Sequence, residues 1–490
     1  MFAVPLTPRK KRQDGQGGLY WDRIRWPAKQ EEKADPDKEK SIAETPTAEE
    51  TSENIKSQGA KTSLSAKDLY RLVGPGVVTG AADNDPSGIA TYSQAGAQFG
   101  LGMLWLALFQ FPLITAVQEA CARIGIVTGS GLGAVIGKKY NRKVAVPLAS
   151  LLLIANTINI GADIGAMSAS VRLIVPEVPL VVATIGFTAL IIVAEIAVPY
   201  KKYVKGLKYL TISLFAYILT SIIVGGNWER LLVATFVPHV ELSPQYAMMF
   251  VAMFGTTISP YLFYWQASEE AEEQVAEGKI KEIGEGKPKV GKKQVKLMKL
   301  DISIGMIFSQ VIAWFIITTA AGSLNTHGIT NISTAEDVAK SLEPLVKTFP
   351  YSGVMAKTIF AFGIIGTGLL AVPVLAGSCG YALADGFGWR QGLYKKFKQA
   401  KAFYLVIAAA TLVGLWINFT NIDPIKALVY TAVINGIIAV PILVAVVKIA
   451  NDRNVLGKMT NRRMSNILLW LTVVVMGISD VIMFFTWGYQ

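Results

Sequence analysis

Eleven apolar runs dominate this sequence, at approximately 69–98, 102–127, 145–172, 180–198, 207–225, 246–267, 301–322, 353–384, 402–418, 425–448 and 465–487. A helix needs about 20 mostly apolar residues to cross a bilayer. Inside lipid every backbone polar group must be satisfied within the protein, so continuous runs of this length form helices. The 490 residues are 52% hydrophobic and 17% charged, a balance that fits multi-span membrane proteins rather than soluble domains. The expected fold class is an all-α membrane protein with about 11 transmembrane helices.

Residues 1–67 read differently. "EEKADPDKEK" and "TAEETSENIKSQGAKTS" mix charge, Ser, Thr and Gly without apolar periodicity, which predicts a disordered tail. The tail has no apolar core of the kind a cleavable signal peptide carries. A net charge of +12 could suggest nucleic acid, but its distribution excludes that partner. Lys and Arg crowd into alternate loops: "GKKYNRK", "YKKYVKGLK", "GKIKEIGEGKPKVGKKQVKLMK", "WRQGLYKKFKQAK" and "KIANDRNVLGKMTNRR". This positive-inside bias places the N-terminus in the cytoplasm of a multi-pass inner (plasma) membrane protein. With two cysteines, Cys121 and Cys379, both in apolar runs, a disulfide framework is excluded.

Two of the runs are interrupted. The first contains "GAADNDPSGIA", Gly80 to Ala90, with its break expected over Asp83–Gly88; the sixth contains "GTTISP", Gly255 to Pro260. Unwound backbone at membrane depth must be satisfied by protein, water or ligand. A matched pair of broken helices five spans apart marks an inverted-repeat transporter with a midplane site. The repeats are expected at 68–225 and 226–450, with 451–490 supplying an eleventh helix.

A carboxylate at the bilayer centre costs about 2.5–3.5 kcal/mol on insertion scales. Asp85 therefore reads as a cation ligand, with N-capping of the second half-helix as the competing role. Asp83 either faces a wet vestibule or supports the site from behind, and Asn84 has no assigned role. In the sixth run, unwinding would expose the carbonyls of Thr256 and Thr257, and Ser259 adds a hydroxyl. Back-bonding to the preceding turn is the alternative for the hydroxyls. Such hard oxygen donors suit Mg²⁺, Ca²⁺ or Mn²⁺. Asn435 in the tenth run reads as a polar neighbour of the site or as a helix–helix hydrogen bond. The run Glu269, Glu270, Glu272 and Glu273 reads as a solvated helix end balanced by the following lysines, or as a vestibule that concentrates cations. Glu119 and Glu195 are intramembrane carboxylates without an assigned partner.

"GPGVVTGAADNDPSGIATYSQAGAQFG", residues 74–100, resembles the first helix of the natural resistance-associated macrophage protein (NRAMP) divalent-metal transporters, where "GPG" leads to a "DPGN" break and "QAGAQFG". The resemblance implies a LeuT-like inverted 5+5 repeat, broken at helices one and six. It also implies metal ligands from the Asp and Asn of "DPGN" and from the Met and a carbonyl of an "A-x-x-M-P-H" break. Asp85 and Pro86 match, but the family Asn falls on Gly88. The family Ala falls on Thr256, the Met on Ser259, the Pro on Pro260 and the His on Tyr261. A second family His falls near Gln266, and the acidic "D-L-A-E" pattern lies over Asn159–Ala162, leaving Asp163 nearby.

These departures look like the NRAMP-related Mg²⁺ transporters of prokaryotes. Losing Met and Asn leaves a wider, harder site, which suits an ion that keeps several waters. The two histidines, His239 and His327, fall in expected external loops, so the family's proton route has lost its parts. The expectation is facilitated, uncoupled transport of Mg²⁺ and also Mn²⁺, with Asp163 as the residue that could restore coupling. The competing readings are a proton-coupled Mn²⁺/Fe²⁺ importer of the NRAMP type and a sodium-coupled organic-solute carrier on the same fold. No metalloprotease, nucleophile-elbow or phosphate-loop pattern suggests an enzyme, and no cofactor is expected beyond the transported ion. The expected partners are the ion and the bilayer, and a monomer is compatible with everything above.

Overall fold

The computed structural model describes residues 75–197, 214–224, 226–348, 351–420 and 422–487. The expected tail, 1–67, and the basic run 200–208 lie outside the described residues. The chain opens on a broken pair, α1 (Pro75–Ala82) and α2 (Pro86–Phe99). It continues through α3 (Trp105–Thr128), the short α4 (Leu132–Tyr140), α5 (Arg142–Ile174), α6 (Leu180–Ala197) and α7 (Phe215–Val224). After α8 (Trp228–Phe236) comes a second broken pair, α9 (Pro244–Thr257) and α10 (Pro260–Ala276). Then follow α11 (Lys292–Ser323), two short helices α12 (Ala335–Lys340) and α13 (Glu343–Val346), α14 (Ser352–Phe387) and α15 (Lys401–Ile417). The last elements are α16 (Pro424–Ala450), the single turn α17 (Arg453–Leu456) and α18 (Arg463–Trp487).

Eight segments are long and apolar enough to cross a membrane, α9 and α10 counting as one. The shorter apolar helices α7 and α15 and the broken pair α1–α2 fill the remaining positions read from the sequence. Large apolar side chains point outward along the peripheral helices, among them Val182, Ile185 and Val193 of α6 and Ile467, Ile478 and Phe485 of α18. That is the surface a bilayer requires. The lysine-rich loops cluster at one end, where α3, α10 and α16 finish and α5, α11 and α18 begin.

Both breaks are tighter than the sequence suggests. Helix is lost only over Asp83–Asp85 in the first and over Ile258 and Ser259 in the second. The reason is local: proline is pre-set for the first helical position and restarts the helix at once. The same ring removes a donor. Pro86 and Pro260 have no N–H for the carbonyls of Ala82 and Thr256, four residues earlier. Thr256 and Thr257 therefore stay in α9, and the expected unwinding across both is corrected.

The two pairs sit at the centre of the bundle: α1 and α2 run along α11, α9 packs on α16, α10 on α3, and α5 on α14. Small residues let these backbones meet. A Cβ at Gly80 would collide with the backbone of Gly305. One at Gly255 would collide with the Ala432 carbonyl and the Gly436 backbone. Overpacking of this kind costs about 1–3 kcal/mol or more. Gly255→Val should therefore lower the thermal midpoint of the purified protein by several degrees, whereas Gly186→Ala, with nothing within 4 Å of its added carbon, should not. Thermal unfolding in detergent followed by tryptophan fluorescence checks both.

Candidate ion-binding site

The first break is organised by its own helix end. Asp85 is the N-cap of α2 and its Oδ1 accepts the Gly88 N–H at 2.6 Å. Its other oxygen, Oδ2, accepts from Asn159 Nδ2 at 3.4 Å, and the same amide reaches Asp163 Oδ2 at 3.1 Å. One oxygen thus caps while the other faces α5, so capping and ligation do not compete. Asn159 and Asp163 stand four residues apart and share a helix face. Asp83 accepts a hydrogen bond from the Ser309 hydroxyl of α11, and its Oδ1 has no partner. The side chain is braced from behind rather than set in a wet vestibule.

The second break faces the first. Ser259 is the N-cap of α10 but makes no capping bond. Its hydroxyl turns back toward the carbonyls of Gly255, at 2.5 Å, and Thr256, at 3.0 Å. The hydroxyl has one proton, so it satisfies one of the two at a time. The Thr257 hydroxyl is held between Tyr92 and Gln110 Oε1, at 2.9 and 3.1 Å. Gly88 leaves little room: a Cβ there would lie 3.1 Å from the Asp83 carbonyl and 3.3 Å from the Tyr92 ring. Asn435 is buried beside the Gly255–Gly436 contact, with an unpartnered Oδ1.

Two further bonds join the pairs. The Tyr261 hydroxyl donates to the Ala82 carbonyl at 3.1 Å, replacing the donor Pro86 lacks. Thr79 Oγ1 donates to Gln266 Oε1 at 2.6 Å, and Gln266 Nε2 donates to Glu270 Oε1 at 3.1 Å.

The electrostatics are one-sided. Asp83, Asp85 and Asp163 are 0%, 3% and 0% exposed, and one amide, that of Asn159, reaches both Asp85 and Asp163. Among the described residues none of the three pairs with Lys, Arg or His. Buried oxygens of Asp83, Asn84, Asn159, Asp163 and Asn435 lack hydrogen-bond partners. Orphaned buried polar atoms of this kind call for water or an ion. All five are acceptors, which a donor such as water or a cation can serve. No three His, Cys, Asp or Glu side chains converge on one point among the described residues.

The other sequence candidates have structural roles. Glu119 pairs with Arg123 of its own helix and with Lys299 of α11. Glu272 accepts from the Tyr381 hydroxyl and from the Leu393 N–H, the latter at 2.6 Å. Glu270 is 2% exposed while Glu273 is exposed, so only part of the glutamate run is a solvated helix end. Glu195 keeps two unpartnered oxygens, and nothing in the structure assigns it a task. His327 Nδ1 lies 2.7 Å from the Ser323 carbonyl at the end of α11, remote from both breaks in sequence and helix position. Sequence reasoning missed Ser309, 226 residues from Asp83, for which no local signal exists. It also undervalued Asn159, which the spacing to Asp163 could have revealed.

A family model described as "Natural resistance-associated macrophage protein-like" matches residues 76–486. The chain is 23% identical over 432 residues to a protein of Listeria welshimeri named "Divalent metal cation transporter MntH", covering 86% of this chain and 90% of that one. A Klebsiella pneumoniae protein of the same name is 25% identical over 433 residues, covering 87% and 96%. Among solved structures, an Eremococcus coleocola manganese transporter in complex with an aromatic bis-isothiourea substituted compound superposes with a TM-score of 0.68 at 15% identity, over 86% of this chain and 87% of that one. MhsT in complex with L-phenylalanine gives 0.55 at 13%, over 84% and 98%. The architecture is thus the LeuT-like inverted 5+5 repeat, with broken helices one and six.

The Tyr261–Ala82 bond makes a stability prediction. Removing the hydroxyl leaves a buried carbonyl unsatisfied, which costs about 1–3 kcal/mol. Tyr261→Phe should lower the denaturation midpoint accordingly, and an unchanged midpoint would show that water replaces the bond.

Proposed function

Because this chain belongs to the natural resistance-associated macrophage protein-like family, we propose that it is a plasma-membrane transporter of divalent metal ions that carries Mg²⁺, and also Mn²⁺, without proton coupling. One observation carries the reading: buried carboxyl groups beside unpartnered oxygens, none of them paired with Lys, Arg or His among the described residues. Asp85 is the anchor, Asp163 and Asn159 form its wall on α5, and the carbonyl of Thr256 and the hydroxyl of Ser259 face it from the second break. Asp83, Thr257 and Asn435 are the buried polar groups around them, and Gly88 stands where a side chain would press on the Asp83 carbonyl and the Tyr92 ring.

Oxygen donors favour hard cations. The absence of a converging three-ligand cluster among the described residues suits Mg²⁺, which dehydrates reluctantly and keeps several waters. Ser259 stands where the resembling proteins place a methionine, so the sulfur that would favour softer ions is replaced by oxygen. Tyr261 and Gln266, at the family's histidine positions, are engaged in neutral hydrogen bonds to α1 and have no proton to exchange near neutral pH. The driving force is then the membrane potential, worth about 4.6 kcal/mol per 100 mV for a doubly charged ion. The competing reading, a proton-coupled Mn²⁺/Fe²⁺ importer, draws on one feature, the amide of Asn159 that links Asp85 to Asp163.

Purified protein in liposomes, with dyes for internal Mg²⁺, Mn²⁺ and pH, separates the two. Mg²⁺ and Mn²⁺ should enter under an inside-negative potential without acidification, and Asp163→Asn should leave that uptake independent of external pH. Acidification that tracks Mn²⁺ influx would sink the uncoupled reading. Asp85→Ala should reduce uptake of both ions to that of protein-free liposomes. Ser259→Met should raise Cd²⁺ uptake relative to Mg²⁺ by about tenfold or more, a shift of about 1.4 kcal/mol. An unchanged ratio would remove Ser259 from the site.

A further inference from the structure

A cavity of about 550 Å³ opens at the lysine-rich end of the bundle. Its walls come from three places. The end of α3 and the last turns of α4 contribute Thr128, Lys138 and Lys139, the loop after α10 contributes Gly284, Gly286 and Lys287, and the segment around α17 contributes Asp452 and Asn454. From these residues we infer that the cavity binds a phosphate ester anion, whether the head group of an anionic phospholipid or a soluble phosphate monoester.

The charge balance carries the argument. The single carboxylate in the lining, Asp452, is already engaged. Its Oδ2 holds Lys139 Nζ at 2.6 Å, and its Oδ1 accepts the Asn454 N–H at 2.8 Å. Lys139 also donates to the Lys448 carbonyl at 3.0 Å, which fixes that side of the pocket. Lys138 and Lys287 remain. Neither forms an ion pair among the described residues, although Lys138 acts at longer range on Asp385. Two uncompensated ammonium groups in one concavity repel a divalent cation, so this is not a second metal station. They match an anion, and Lys serves phosphate as a point charge.

The cavity is also preformed. Gly284 N–H donates to the Gly129 carbonyl at 2.7 Å, and the side chains of Ile280 and Pro288 close on Gly129. Gly284 and Gly286 both take positive φ, 87° and 89°, with nothing within 4 Å of where a Cβ would stand. Bare backbone therefore faces the space that the lysines border. Glu285 lies between them in sequence but outside the lining. The volume falls in the range of small-ligand sites, about 300–1,000 Å³. Under the positive-inside reading this end faces the cytoplasm, where basic pockets between helices recruit anionic head groups. The loop that forms one wall continues directly from α10, so an occupant would act on the helix that carries the second break.

The test uses the full chain purified in a neutral detergent, without added metal. Thermal shift and native mass spectrometry are read with phosphatidylglycerol, with phosphatidylcholine, and with glycerol 3-phosphate or AMP. Phosphatidylglycerol or a soluble ester should bind and raise the midpoint, while phosphatidylcholine should not. The double variant Lys138→Gln, Lys287→Gln should bind about thirtyfold more weakly, the factor two lysines supply near a surface. The exposed control pair Lys296→Gln, Lys398→Gln, outside the lining, should bind as the unaltered chain does. Binding by phosphatidylglycerol alone assigns the lipid source, and binding by the soluble esters assigns the solute. Equal weakening in the control pair, or no binding by any phosphate compound, overturns the inference. Since no cation enters the assay, failure here leaves the metal-transport reading standing, and failure of that reading leaves this one.

Discussion

Pro86 and Pro260 have no N–H to offer the carbonyls four residues behind them, and lipid supplies no substitute. At the first break the Tyr261 hydroxyl takes the Ala82 carbonyl, which ties α10 to α1. At the second, the Thr256 carbonyl has only the Ser259 hydroxyl, shared with Gly255. The two halves of the chain therefore carry the same lesion at corresponding places and repair it differently. One repair is a long-range tie; the other leaves an oxygen under-satisfied beside Asp85's helix end.

Around those breaks the bundle buries three carboxyl groups that pair with no Lys, Arg or His among the described residues. Asp85 cannot simply turn away, because one oxygen is fixed as the cap of α2. Asp83 is held by Ser309 from α11, and Asp163 by the amide of Asn159. Each carboxylate is oriented by a neutral donor instead of being paired with a cation. Neutral donors fix position while leaving the charge in place, which is what a site for a transient positive guest needs. The close glycine contacts of α1 with α11 and of α9 with α16 bring these side chains within reach of one another.

Much of this was legible in the sequence, and the failures have identifiable causes. Apolar length gave the helices, and Pro with Gly and Asp in mid-span gave the breaks and Asp85. Break width was overestimated because Gly255, Thr256 and Thr257 are poor helix formers in water, whereas packing against α16 keeps them helical. On sequence alone the Thr257 carbonyl is expected to be freed by unwinding, whereas the residue stays in α9, and sequence cannot show that Tyr92 and Gln110 meet its hydroxyl. Glu272 of α10 looked solvated because its partners, Tyr381 and Leu393, come from more than a hundred residues away. Local patterns report backbone behaviour well; they are silent on which distant donor meets which acceptor.

The Ser259 hydroxyl has a kinetic consequence. Moving its one proton between the Gly255 and Thr256 carbonyls requires only rotation about one side-chain bond. It needs none of the collective helix motion that takes microseconds to milliseconds. Either carbonyl can thus lose or regain its partner while α9 and α10 stand still, and the second break carries a local adjustment that the first, tied to α10 through Tyr261, does not have.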